Sequence, residues 1–183
     1  MIYYFAYGSN LHPMRLLKRV PSAKFIGVVQ LSGYKLTFHK RSVDKSSKCN
    51  LFKTGDSLDI VYGAIYEIAP EGKSTLDKFE GKGSGYIDNQ IQFYYQDNEY
   101  NCFTYLAQQS YITDSLKPYH WYKEMVVLGA KYLKFPSTYI SSIESVESID
   151  DPENKRSIEK SELLQEIKNY GEQHEILGGT VSE

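Results

Sequence analysis

The run Tyr3-Tyr4-Phe5-Ala6-Tyr7-Gly8-Ser9-Asn10-Leu11 constrains this chain more than any other stretch. Four aromatic or apolar residues in a row suit a pleated, largely buried strand. The strand then meets Gly8, which permits a backbone conformation that a side chain would forbid. Ser9 or Asn10 is placed to cap a helix over residues 11–17, and Pro13 fits the first turn, where its missing N–H costs little. A Gly-Ser-Asn turn at a helix start leaves backbone N–H groups pointing outward. Such groups suit a carboxylate or a developing oxyanion. Strand-turn-helix junctions are common, so the local pattern fits a turn without a ligand equally well.

A chain of 183 residues is long enough for one domain with a real core. Its formal charge of −2, with Lys and Arg spread along the sequence, gives no electrostatic footprint for nucleic acid. Cys49 and Cys102 are the two cysteines, without CxxC spacing, which argues against a disulfide framework and against a structural zinc site. No signal peptide or membrane-spanning apolar run is visible, so a soluble cytoplasmic protein is expected. The 17 tyrosines combine an apolar body with a polar tip, a composition suited either to ordinary packing or to a half-wet cavity.

Two strands are expected at residues 25–31 and 34–39, joined at Ser32-Gly33, followed by a loop over residues 40–57. Residues 59–68 read as a strong strand, and residues 74–80 as a short helix with Leu76 and Phe79 on one face. A glycine-rich turn at residues 81–85 leads to a hairpin of residues 86–95 and 100–106. After Pro118, the positions Tyr122, Met125, Val126, Gly129 and Leu133 form one apolar helical stripe. A further helix is expected from Ser137, burying Ile140, Ile143 and Val146. A last helix reaches Tyr170, with Leu163, Leu164 and Ile167 inward, and residues 178–183 are expected to be mobile. Strands dominate the first two thirds and helices the last, which predicts an α+β domain, with a sheet able to close into a barrel.

Glu80 is the acidic candidate, because it ends an apolar helical turn and meets a flexible Gly81. Partial desolvation there would make its carboxylate a better base. Surface glutamates are so common that the residues alone fit a solvated helix end better. Residues 81–85 lack the Gly-x-x-x-x-Gly-Lys spacing of a phosphate cradle, and a helix rather than a strand precedes them. His12, His39, His120 and His174 are scattered, without metal-ligand spacing, and no nucleophilic serine or cysteine motif is present. Tyr122 on its apolar stripe reads first as a core tyrosine.

Together these pieces resemble the γ-glutamylcyclotransferase family. The residues that carry the resemblance are Tyr7-Gly8-Ser9-Asn10-Leu11, then Leu76-Asp77 through Glu80-Gly81 with the Ser84-Gly85 pair. A third match runs from Tyr122-Lys123 through Met125 and Gly129-Ala130-Lys131 to Phe135-Pro136 and Tyr139, so that the resemblance spans residues 2–147. It implies a small mixed β-barrel with flanking helices over residues 1–150, with residues 151–183 as a polar helical extension. It also implies that a small γ-glutamyl amino acid is converted to 5-oxoproline and a free amino acid, without cofactor, metal, nucleic acid or membrane. Relatives of this kind are often homodimers. Glu80 would be the acid/base. Tyr4, Phe5, Ala6, Tyr7, Gly8 and Ser9 would form the substrate-binding loop, and Tyr122 would hydrogen-bond the glutamyl group.

One departure concerns a tyrosine that the animal-type pattern has two residues after the Ser-Gly pair. That position is Ile87 here, with Tyr86 one residue earlier. Strand side chains alternate faces, so a one-residue shift is not trivial. Rival expectations are a same-fold enzyme acting on γ-glutamylamines or glutathione, and a non-catalytic metabolite-binding domain. The retained Glu80 argues against the latter.

Overall fold

The structure, a computed structural model, describes residues 1–173. The expectation for residues 178–183 therefore lies outside the described residues. Strands β1 (Ile2–Ala6), β2 (Lys24–Ser32), β5 (Ile60–Ile68), β6 (Tyr86–Tyr95) and β7 (Asn98–Ala107) form one sheet in the order β2-β5-β1-β7-β6. The aromatic run thus becomes the central strand. It is antiparallel to β5, with Tyr4 opposite Tyr66, and parallel to β7, with Tyr4 opposite Phe103. Its central place explains why Phe5 and Ala6 are fully buried.

The α+β class holds, but the sheet does not close into the expected barrel. No ladder joins the two edge strands. They meet through side chains instead: the Tyr95 ring lies on Gly27, where an added Cβ would fall 2.3 Å from Tyr95 Cζ. A ring in that position holds the edges too far apart for backbone pairing, for which strands must approach to about 4.8 Å.

Strands β3 (Tyr34–Arg41) and β4 (Ser47–Lys53) make a separate two-stranded ribbon. The chain leaves the main sheet at Gly33, whose φ of 81° suits a residue without a Cβ. β4 occupies much of what was expected to be loop. Cys49 and Leu51 of this strand enter the core, and polar residues are buried beside them: the Ser47 Oγ without a partner, Asn50 with tertiary ones. Asn50 pairs with the His39 ring at 2.9 Å and accepts the Ala107 amide at 2.7 Å.

The helices are α1 (Pro13–Arg19), α2 (Pro70–Glu80), α3 (His120–Tyr132), α4 (Ser137–Glu144) and α5 (Asn154–Gln173). α2 starts earlier than expected because Pro70 serves as its first residue. α3 buries the predicted stripe, including Tyr122, Met125, Val126 and Gly129. Gly129 lets α3 approach the N-terminal turn, since a Cβ there would lie 2.6 Å from Leu11 Cβ. α5 is anchored at its start by Asp151. The Asp151 carboxylate accepts from Trp121 Nε1 at 2.8 Å and from two Arg156 nitrogens at 2.6 Å each. Ile167 is buried, as expected, while Leu163 and Leu164 are half-buried. No helix among the described residues is long and apolar enough to cross a membrane.

Candidate active site

The central strand ends in a cleft of about 280 Å³, counting space open to solvent, beneath the turn at residues 8–11. The turn is closed by the Leu11 amide donating to the Gly8 carbonyl at 3.0 Å, and Tyr66 Oη donates to the Leu11 carbonyl at 2.6 Å. The amides of Ser9 and Asn10 bond to none of the described residues. Two expectations for this turn are corrected. Gly8 is not needed for a left-handed backbone. It is needed for room, since a Cβ would sit 3.1 Å from Cys49 Cβ. Nor does Ser9 or Asn10 cap α1, whose N-cap is His12, without a side-chain bond.

The Asn10 side chain turns into the cleft instead. Its Nδ2 donates to Tyr4 Oη at 3.1 Å and to Glu80 Oε1 at 3.0 Å. Arg19 Nη1 donates to Asn10 Oδ1 at 2.9 Å and to Glu80 Oε1 at 2.8 Å. Both contacts fall on one carboxylate oxygen, and Oε2 accepts from none of the described residues. The end of α2 delivers this carboxylate: Gly81, at φ 66°, closes the helix with its amide on the Lys78 carbonyl. Glu80 is thus held at the cleft, its side chain 18% exposed, rather than standing free at a helix end.

The opposite wall is β4, and two tyrosines hold it. Tyr122 Oη accepts the Cys49 amide at 3.1 Å, and Tyr86 Oη donates to the Cys49 carbonyl at 2.5 Å. Accepting that amide leaves the Tyr122 O–H available as a donor at the cleft. Burial pushes the Tyr86 and Tyr122 hydroxyls well above the ordinary tyrosine value, so both are neutral donors at physiological pH. Tyr4 is raised by burial and then by the Glu80 charge. Burial also lifts the Cys49 thiol to about 12, which leaves it protonated and a poor nucleophile although it lines the cleft. Among the described residues no group of three or more His, Cys, Asp or Glu stands together to hold a metal ion.

Of the residues singled out in the sequence, Tyr4, Tyr7, Gly8, Ser9, Glu80 and Tyr122 line the cleft together. Phe5 and Ala6 do not. Both are fully buried: Phe5 points to the face opposite Tyr4 and packs against Phe93 at a centroid distance of 4.7 Å, and the Ala6 methyl is too short to reach the cleft. At the position of the tyrosine departure, Tyr86 is 5% exposed and lines the cleft, whereas Ile87 is 45% exposed. Arg19, Cys49, Tyr105 and the side chain of Asn10, whose backbone N–H alone was expected there, were not predicted at the site. Asn10 carried a signal inside the opening motif, but capping competed for it. Cys49 and Tyr105 arrive through strand pairing alone.

The AIG2-like family matches residues 60–143, which include α2, α3 and all but the last residue of α4. A bovine γ-glutamylcyclotransferase is 32% identical over 154 residues, covering 80% of this chain and 79% of that one. The human γ-glutamylcyclotransferase is 31% identical over 177 residues, covering 92% and 88%. A solved γ-glutamyl cyclotransferase structure superposes with a TM-score of 0.77 at 28% identity, over 90% of this chain and 98% of that one. Similarity at this level over most of both chains places this one within an established group: the chain belongs to the γ-glutamylcyclotransferase family.

Proposed function

We propose that this protein converts a γ-glutamyl amino acid to 5-oxoproline and the free amino acid, with Glu80 as the acid/base. The substrate's α-amine attacks its own γ-carbonyl carbon. A C–N bond forms, closing the five-membered lactam, and the bond to the leaving amine breaks. At neutral pH the α-amine is mostly an ammonium and cannot attack. Glu80 takes its proton and hands it to the departing nitrogen, and the second proton that the attacking nitrogen sheds on becoming the lactam N–H passes the same way, so the amine leaves as an ammonium and the step balances without an external reagent. The ring closure is intramolecular, and the protein's main task is to hold a folded conformer against the carboxylate.

The observation that carries this reading is the Glu80 carboxylate, fixed at the cleft by Arg19 and Asn10 through Oε1 alone, with Oε2 left for a substrate proton. The unengaged Ser9 and Asn10 amides are suited to the oxyanion that develops at the γ-carbonyl. Tyr4 and Tyr122 supply hydroxyls for the glutamyl group. Free, buried Cys49 and Cys102 support a cytoplasmic setting. Incubation with γ-glutamyl-alanine, γ-glutamyl-ε-lysine and glutathione, followed by 5-oxoproline measurement, tests the assignment. Release from γ-glutamyl-alanine is expected. Release only from one of the others would move the chain to a rival enzyme, and no release from any would favour a binding module.

A further inference from the structure

Outside the cleft lies a wider vestibule of about 910 Å³, again counting space open to solvent, which shares Ser9, Glu80, Tyr86 and Tyr122 with it. Its walls are cationic. Arg15 and Arg19 come from α1, Lys40 from β3, Lys48 from β4 and Lys160 from α5. Two of these charges are already spoken for: Arg19 by Glu80, and Lys48 by Asp44 at 2.7 Å.

Arg15 and Lys40 have no such partner. Arg15 is 9% exposed and Lys40 6% exposed, and neither makes a side-chain hydrogen bond or ion pair with any described residue. The Arg15 Nε is buried without an acceptor. Lys40 Nζ rests 4.5 Å above the Tyr86 ring, a contact that does not neutralise its charge. Gly85 makes that position accessible, because a Cβ there would lie 2.7 Å from Lys40 Nζ. The Ser-Gly pair of the sequence therefore has a physical role: it admits an ammonium beside the cleft. Burial holds both groups below their ordinary values, Arg15 at about 10 with the neighbouring Arg19 adding to its shift, while the Glu80 charge acts in the opposite sense on both and Asp44 on Lys40. Lys160 is lowered by burial and then by the charges of Arg15 and Arg19.

Burying an unpaired cation costs several kcal/mol. A fold that keeps two at the mouth of its cleft is arranged for an anion supplied from outside. The γ-glutamyl group fills the inner cleft against Glu80, so the part of the substrate that projects into the vestibule is the leaving group. We propose that Arg15 and Lys40 are specificity-determining residues that together hold the carboxylate of the leaving amino acid. This inference rests on the lactam-forming reading of the cleft and adds a specificity determinant to it.

The test compares γ-glutamyl-alanine with γ-glutamyl-ethylamide, which differ only by the leaving-group carboxylate. A charge-assisted hydrogen bond predicts a kcat/KM ratio of about 10- to 100-fold in favour of the alanine compound. Arg15→Met and Lys40→Met should each reduce that ratio by lowering turnover of γ-glutamyl-alanine while leaving γ-glutamyl-ethylamide unchanged. A wild-type ratio near one overturns the proposal, as do variants that slow both substrates alike. Turnover of both at equal rates would leave the cleft reading intact. No 5-oxoproline from either would overturn both. Product inhibition of the wild type gives a second measurement that does not depend on a folded variant: alanine should compete with substrate and ethylamine should not. Equal inhibition by the two overturns the site.

Discussion

Arg19 Nη1 stands 2.8 Å from Glu80 Oε1 and 2.9 Å from Asn10 Oδ1, so one guanidinium nitrogen ties the end of α2 to the N-terminal turn. The network fixes the carboxylate before any substrate arrives, which is what positioning a general base requires. Glu80→Gln should preserve the Arg19 contact through its amide oxygen and keep the fold, while losing about 10²- to 10⁴-fold in kcat. Circular dichroism and 5-oxoproline release check this together. Near-normal turnover would remove Glu80 from the chemistry.

Asn10→Ala deletes the donor to both Tyr4 and Glu80. We expect kcat to fall by about 10-fold, since Arg19 still holds the carboxylate but its angle is freed. Steady-state kinetics beside a thermal melt separates this from unfolding: a loss of activity matched by a loss of stability would make Asn10 a purely structural residue.

Tyr122→Phe removes the acceptor of the Cys49 amide and a hydroxyl at the cleft. Stranding a buried amide should cost about 1–2 kcal/mol of stability. KM for γ-glutamyl-alanine should rise as well. Denaturant unfolding measures the first effect, and unchanged KM and kcat would return Tyr122 to the role of core tyrosine.

His12 is 1% exposed, packed 4.3 Å from the Tyr132 ring, with Nδ1 unpartnered. Burial lowers its value from 6.5 to about 4. The unfolded chain therefore takes up the proton first as pH falls. Stability should be full above pH 6.5 and decline from there to about pH 4, by ~3 kcal/mol in all. His12→Phe should flatten that part of the profile. Urea melts at pH 7 and pH 5 test it, and an equal loss in both proteins would assign the decline elsewhere.

Asp151 has a fully buried side chain, shared by Trp121 and Arg156. The Arg156 hydrogen bonds hold its carboxyl low, at about 2. Asp151→Asn leaves Arg156 with the exposed Glu153 as its remaining charge partner and weakens the buried contact at the start of α5, which should cost about 1–3 kcal/mol. Loosening α5, the helix that carries Lys160, would appear as earlier hydrogen exchange along residues 154–173.

The strands at Ile60–Ile68 and Tyr86–Tyr95, the α3 stripe and the place of Tyr4, Gly8 and Ser9 along one cleft were legible because local pattern and motif order agree there. Strand β4 was not legible, because Asn50 is polar and only its tertiary partners, the His39 ring and the Ala107 amide, justify burying it. Period-two alternation also separates Tyr4 from Phe5, yet no sequence rule says which face meets the cleft.

The chain's own order of residues therefore determined the central strand, the turn after it and the carboxylate at residue 80, since each depends on neighbours in sequence. Only the tertiary structure decided that Asn10 turns inward, that Tyr86 rather than Ile87 lines the cleft, and that Arg15 and Lys40 are buried without partners. Those outcomes depend on which distant groups compete for the same space and charge, and such competition is settled by packing.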